Sequence, residues 1–91
     1  MQRVHIIVNG LVQGVYFRAF TKETADRLGL SGWVRNLPNG SVEAIAEGEE
    51  QILKDFVSDL KKGSLKARVD EVQIEHSDAK KEFPDFCILR S

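Results

Sequence analysis

The stretch VNGLVQGVYFRAF, Val8–Phe20, carries the chain from a strand pattern into a helix pattern through two glycines. Upstream of it, apolar side chains at every second position predict a strand with at least one buried face. Downstream, apolar side chains recur every three or four residues from Phe17, which predicts a helix that ends at Gly29. The junction between the two patterns is therefore either a simple turn or a loop that binds a ligand.

A hairpin and a second helix follow this first unit. Residues 33–37 and 42–47 read as strands and flank Pro38-Asn39-Gly40, a typical turn sequence, so they are predicted to form the hairpin. The next segment, EEQILKDFVSDLKK, places its apolar residues on one stripe and its charges favourably at both ends, which predicts a helix. Gly63 is expected to end it.

Two alternating segments, around Ile74 and Phe86, add two strands and give the order βαββαβ plus a short last strand. This order predicts the α+β class, a ferredoxin-like sandwich with an antiparallel sheet of four to five strands and two helices packed on one face. Residues 1–91 are too few for two cores, and one domain is expected. In this topology the first two strands end at the same sheet edge, about 10 Å apart with another strand between them. The loop 13–17 and Asn36 are therefore predicted to face each other.

The composition is that of an ordinary soluble protein and argues against several classes. Apolar residues make up 42% and charged residues 30% of the chain, and no apolar run could cross a bilayer. The amino terminus lacks the pattern of a cleaved secretion signal, so a cytoplasmic protein without a membrane partner is expected. The net charge of −1 argues against a general binder of nucleic-acid backbones. The single cysteine, Cys87, permits neither an internal disulfide nor a thiolate metal cluster.

The loop after the first strand has the features of an anion site. A glycine-bearing loop that opens into a helix points several N–H groups at one place, where the helix dipole adds partial positive charge. Arg18 follows in the first turn, and its guanidinium stays charged and can donate to two phosphate oxygens together. A turn glycine followed by a surface arginine explains the same residues about equally well, because a lone glycine loop is a weak signal.

Two segments resemble the acylphosphatase family. Residues 10–18, GLVQGVYFR, and residues 32–48, GWVRNLPNGSVEAIAEG, match two signatures that read approximately G-x-V-Q-G-V-x-F-R and G-aromatic-V-basic-N-x3-G-x-V-x5-G. Both segments match at every fixed position, and the element order along the whole chain is similar to that of the family. The resemblance implies a small free-standing enzyme that hydrolyses acyl phosphates to a carboxylate and inorganic phosphate.

The resemblance also implies roles for individual residues. Arg18 would bind the substrate phosphate and Asn36 would position the attacking water, so these two are the predicted catalytic residues. The predicted phosphate-binding residues contribute backbone N–H groups and one guanidinium: Gln13, Gly14, Val15, Tyr16, Phe17 and Arg18. No metal and no cofactor are expected, and the expected partners are an acyl phosphate and inorganic phosphate, bound by a monomer. Tyr16 fills the variable position of the first signature, where its ring could narrow the entrance or stack on the acyl group.

Other reactive residues are predicted to have structural roles. Cys87 falls in a strand pattern and is expected to be packed there rather than to act as a nucleophile. Glu43 and Glu47 alternate with alanines, which indicates a solvated strand face rather than an acid-base pair. His5 and His76 lack the spacing of a metal-binding pair.

A module that binds nucleic acid or a regulatory metabolite is the alternative interpretation, since the ferredoxin-like fold serves many functions. An RNA-binding sheet would display aromatic side chains on its central strands together with a basic surface. The first and third predicted strands, VHIIVN and VEAIAE, carry no aromatic residue. The sequence therefore favours the enzyme, and it leaves open whether the terminal carboxylate of Ser91 reaches Arg18.

Overall fold

The structure, a computed structural model, describes residues 1–90 of the chain. Within them the elements follow the predicted order, and neither helix is long and apolar enough to cross a membrane. Their bounds are β1 Gln2–Leu11, α1 Phe17–Leu28, β2 Ser31–Asn36, β3 Val42–Gly48, α2 Glu50–Lys62, β4 Arg68–Asp78 and β5 Phe86–Ile88. The predicted first helix and the hairpin around Pro38 are confirmed.

The strands form one sheet in the order β4-β1-β3-β2-β5. Strand pairs are antiparallel except for β2 and β5, which run in parallel with Gly32 opposite Phe86 and Val34 opposite Ile88. The ferredoxin-like prediction is confirmed, and β3 lies between β1 and β2 as expected. The parallel edge strand makes the sheet mixed rather than fully antiparallel.

Both helices cover the same face of the sheet. Helix α1 contacts β2 and β5, α2 contacts β3 and β4, and the helices also contact each other. Fully buried side chains between these layers include Val4, Ile6, Phe17, Val34, Ala44, Leu53, Phe56 and Phe86. Each large apolar side chain buried in this way contributes about 1.5–3 kcal/mol relative to exposure. This core holds α1 against β2, the two elements that carry Arg18 and Asn36.

Gly32 lets β2 and β3 approach each other closely. Its φ is +143°, and a Cβ built on it would lie 1.9 Å from the carbonyl oxygen of Ile45. A residue with a side chain would have to push the two strands apart. Glycine at this position therefore helps to set the path of β2 towards Asn36.

The prediction that Glu47 lies on a solvated strand face is wrong. Its side chain is 1% exposed and accepts hydrogen bonds from Arg3 Nε and from the backbone N–H groups of Lys80 and Lys81 at 2.8, 2.8 and 3.0 Å. The chain between β4 and β5 covers this part of the sheet face. Burial alone would raise the pKa of the Glu47 carboxyl, but these hydrogen bonds and the charge of Arg3 hold that pKa below its ordinary value.

Cys87 also differs from expectation. It lies in β5, as its strand pattern predicts, but its side chain is exposed rather than packed. The neighbouring Phe86 points into the core, and consecutive side chains of a strand point to opposite faces. Cys87 therefore faces away from the helices.

Candidate active site

The cradle loop, residues 13–17, connects β1 to α1. Gly14 and Tyr16 have left-handed φ values of 73° and 69°, whereas Val15 between them does not have a positive φ. Such alternation turns successive N–H groups towards one point and forms an anion-binding concavity. No side chain within residues 1–90 caps α1, and its first turn carries no acidic residue. The N–H groups at this helix end are thus available to an anion, which the helix dipole also favours.

Arg18 lies in the first turn of α1 and is half-buried. No carboxylate within residues 1–90 forms an ion pair with it. A guanidinium near the positive end of a helix is stabilised by an anionic ligand. The sequence question about the terminal carboxylate of Ser91 falls outside the described residues.

Asn36 is the last residue of β2. It shares a sheet face with Val34, which is fully buried beneath α1, because side chains two positions apart on a strand point the same way. The Oδ1 atom of Asn36 is buried and has no hydrogen-bond partner among the described residues. A buried carboxamide oxygen is an acceptor that requires a donor, and a water molecule is the smallest that can supply one.

A cavity of about 400 Å³ brings Arg18 and Asn36 together. Its walls come from the cradle loop, the first turn of α1, the end of β2 and the chain around the end of β5. The lining residues are Val12, Gly14, Tyr16, Phe17, Arg18, Ala19, Asn36, Ile88 and Arg90. Two arginines and no acidic side chain contribute to this lining, so the cavity favours a small anion. The predicted meeting of the loop with the end of the second strand is confirmed.

Sequence reasoning missed Ile88 and Arg90. The chain reaches the cavity because β5 pairs in parallel with β2 and because the Leu89 N–H donates to the Val34 carbonyl at 2.8 Å. The alternation of β5 is visible in the sequence, but the strand with which it pairs is not. Arg90 therefore carried no signal beyond being a basic residue after a strand.

The predicted phosphate-binding residues divide into two groups. Four of them line the cavity: Gly14, Tyr16, Phe17 and Arg18. The side chains of the other two lie elsewhere, since Val15 packs against the core and Gln13 turns towards the β2–β3 turn. Any contact that Gln13 or Val15 makes with a phosphate would therefore come from its backbone N–H.

The side chain of Gln13 connects the cradle loop to the turn that follows Asn36. Its Nε2 donates to the carbonyl oxygens of Leu37 and Ser41 at 2.7 and 2.8 Å. These two residues lie at the two ends of the β2–β3 turn. One carboxamide thus ties the loop that precedes Arg18 to the strand end that carries Asn36. Sequence reasoning missed this connection, although Gln13 is a fixed position of the first signature.

A second polar cluster lies on the other face of the sheet. His5 Nε2 lies 2.7 Å from Glu43 Oε2, and Arg35 Nε donates to Glu43 Oε1 at 2.6 Å. Partial burial alone would raise the pKa of Glu43, but its hydrogen bonds to His5 and Arg35 hold that pKa below its ordinary value. Within residues 1–90, no three His, Cys, Asp or Glu side chains are grouped so as to hold a metal ion. This cluster is separated from the cavity by the sheet itself.

Comparisons with known proteins agree with this geometry. The family model described as Acylphosphatase matches residues 4–88. A curated acylphosphatase of Marinobacter nauticus is 50% identical over 86 residues, which are 94% of each chain, and one of Methylococcus capsulatus is 42% identical over 90 residues, 99% of this chain and 98% of the other. The crystal structure of acylphosphatase from Bacillus subtilis superimposes with a TM-score of 0.96 at 40% identity, covering 99% of this chain and all of the other. The chain belongs to the acylphosphatase family.

Proposed function

We propose that this acylphosphatase binds the phosphate of its substrate with Arg18 and the backbone N–H groups of residues 13–18, and that Asn36 positions the attacking water. The reaction is hydrolysis of the mixed anhydride R-CO-OPO₃²⁻. Arg18, the converging amides and the dipole of α1 would neutralise the phosphate oxygens. The carboxamide oxygen of Asn36 would accept a hydrogen bond from the water and hold it in line with phosphorus.

The bonds and charges balance without an acid catalyst. The water oxygen forms a bond to phosphorus while the bond from phosphorus to the acyl oxygen breaks, and the electron pair of that bond stays on the carboxylate. The products are R-COO⁻ and H₂PO₄⁻, which together carry the two negative charges of the substrate. A carboxylic acid has a pKa of about 4, so the leaving oxygen does not need a proton at neutral pH.

Positioning and charge stabilisation are what such a reaction needs most. Phosphoryl transfer passes through a loose transition state with negative charge spread over the equatorial oxygens. A guanidinium and several fixed N–H dipoles stabilise this charge without reorganising during the reaction. The observation that carries the proposal is one cavity lined by Arg18 and by Asn36, whose buried Oδ1 has no partner among the described residues.

The test is hydrolysis of benzoyl phosphate in the presence of a chelator by the wild type, Arg18→Ala and Asn36→Ala. Loss of the charge-assisted contacts of Arg18 is expected to cost at least about 3 kcal/mol of transition-state binding, more than a hundredfold in rate. Arg18→Lys should not restore the rate, because an ammonium cannot reproduce the planar fork of donors.

Competition by inorganic phosphate separates the two roles. Arg18→Ala should weaken phosphate inhibition together with turnover, whereas Asn36→Ala should lower kcat and leave phosphate inhibition within about twofold of the wild type, since the Arg18 side chain would contact the phosphate and the Asn36 side chain would contact the water. Arg27→Ala is a matched control, because Arg27 lies on α1 far along the helix and pairs with Asp59. Undiminished turnover by Arg18→Ala or by Asn36→Ala would exclude the role assigned to that residue.

We also propose that residues 1–91 act as one acylphosphatase-like domain, as a cytoplasmic monomer without a nucleic-acid or membrane partner. The single sheet and the single core within residues 1–90 support one domain that does not need a second chain. The free, exposed thiol of Cys87 suits a reducing compartment. The net charge of −1 gives no general attraction to a phosphate backbone.

A further inference from the structure

A second cavity, of about 500 Å³, adjoins the phosphate cavity. One wall is the cradle loop with the first turns of α1, and the other is the segment between α2 and β4. The lining residues are Gly14, Val15, Tyr16, Phe20, Glu23, Gly63, Ser64, Leu65 and Lys66. Gly14 and Tyr16 line both cavities, so the two spaces meet across the rim of the cradle loop.

The side chains around this second cavity are largely apolar and open to solvent. Leu65 is 100% exposed and Tyr16 is 80% exposed, although both are large apolar residues. Phe20 and Val15 add partly buried apolar surface behind them. The charges of Glu23 and Lys66 are opposite, so the lining of this cavity as a whole has no net formal charge. Exposed apolar surface grouped in this way is typical of a ligand-binding surface.

This surface lies on the side of the phosphate cavity from which the leaving group would depart. Attack in line with the breaking bond requires the water and the leaving carboxylate to lie on opposite sides of phosphorus. Asn36 lines only the first cavity, on the β2 side of the cradle loop, whereas Gly63–Lys66 line only the second, on the α2–β4 side. An acyl group leaving away from Asn36 is therefore directed towards the second cavity.

At Gly14, no side chain separates the two cavities. A Cβ built on Gly14 would meet no atom within 4 Å, so the space above this residue is open. The opposite wall is fixed relative to the loop, because Ser64 Oγ donates to the carbonyl oxygen of Val15 at 3.2 Å. A substrate can thus lie across Gly14 with its phosphate in one cavity and its acyl group in the other.

We propose that this second cavity, the acyl subsite, binds the apolar part of the substrate through Tyr16 and Leu65 and makes the enzyme prefer aromatic or branched acyl phosphates to acetyl phosphate. The proposal rests on the proposed function, since it takes the phosphate position from Arg18 and Asn36. It adds a substrate class and two residues that determine specificity.

The test uses two non-hydrolysable analogues in which CH₂ replaces the bridging oxygen: phenacylphosphonate for benzoyl phosphate and acetonylphosphonate for acetyl phosphate. Their inhibition constants are measured by competition against acetyl phosphate hydrolysis. The variants are Leu65→Ser, Tyr16→Asn, in which asparagine tolerates the left-handed backbone, and the control Leu11→Ser, an exposed leucine that lines neither cavity.

The wild type is expected to bind the phenacyl compound at least about fivefold more tightly than the acetonyl compound. This ratio should fall about threefold or more in Leu65→Ser and in Tyr16→Asn, and it should stay unchanged in Leu11→Ser. A ratio that is insensitive to both Leu65→Ser and Tyr16→Asn, in an enzyme that hydrolyses acetyl phosphate, would overturn the acyl subsite and leave the proposed function standing. If the wild type hydrolysed neither acetyl phosphate nor benzoyl phosphate, the proposed function would instead be refuted.

Discussion

Replacing Gln13 by alanine is expected to lower kcat about tenfold, although its side chain does not line the phosphate cavity. The Gln13 amide connects the cradle loop to the turn after Asn36 through the carbonyls of Leu37 and Ser41. Without it, the strand end that carries Asn36 would lose its tie to the cradle loop and would be held by the sheet and by the hydrogen bond from Ser41 Oγ to Asn9 Oδ1. A displacement of about 1 Å in a group that positions water is enough for a loss of this size.

The effect on stability follows from the remaining hydrogen bonds. The Leu37 carbonyl also accepts from the Gly40 N–H at 3.1 Å, and the Ser41 carbonyl also accepts from the Leu37 N–H at 2.8 Å. Neither oxygen is therefore left without a donor in Gln13→Ala, and the loss is limited to two net hydrogen bonds of about 1 kcal/mol each. The free energy of unfolding should fall by about 1–2 kcal/mol, too little to unfold the protein.

The assay combines benzoyl phosphate turnover, inhibition by phosphate and urea unfolding. Gln51→Ala is the matched control, because Gln51 is exposed on α2 and makes one long contact of 3.3 Å with Asp55. If Gln13 acts through Asn36, its replacement should cost much less kcat in an Asn36→Ala background than in the wild type. A kcat for Gln13→Ala within twofold of the wild type, or fully additive losses in the double variant, would refute this reasoning.

Three further perturbations probe other parts of the structure. Gly32→Ala should lower the free energy of unfolding by about 2–3 kcal/mol, because its Cβ would lie 1.9 Å from the Ile45 oxygen; urea unfolding measures this. The folded-state pKa of Glu47 is lowered, so its stabilisation is present above the ordinary value of about 4.5 and is lost as pH falls through the folded pKa. Between pH 5 and 3, the free energy of unfolding of Glu47→Gln should therefore fall less than that of the wild type. Unfolding measured at about ten pH values checks this. The control Glu75→Gln, at an exposed position, should show the same loss as the wild type. Arg90→Gln should weaken phosphate inhibition about threefold at low salt and less at high salt, and an effect independent of salt would contradict a long-range charge role.

The meeting of Arg18 and Asn36 could be predicted from sequence because it depends on topology alone. The periodicity gives the order βαββαβ, and the right-handed crossover then places the ends of β1 and β2 at one sheet edge. The order of strands in the structure confirms this reasoning. No knowledge of individual contacts was needed to bring the two residues near each other.

Other features could not be predicted because they depend on long-range pairing that local patterns do not contain. Arg90 reaches the cavity only because the three residues of β5 pair with β2. Glu47 is buried beside Arg3 and under the chain near Lys80, which folds over a strand face that alternation alone marks as polar. Period-two alternation tells which side chains share a face, and a later segment of chain decides whether water reaches that face.

Tyr16 links the conformation of the loop to the acyl subsite. A tyrosine with φ of 69° carries a backbone strain of about 1–3 kcal/mol, which glycine would avoid at the same position. Burial does not offset this strain, because the side chain is 80% exposed. The left-handed turn itself accounts for the direction of the loop amides, but it does not account for a large ring. The ring lies where the two cavities meet, so the contact with the substrate's acyl group that we propose would explain both its size and its exposure.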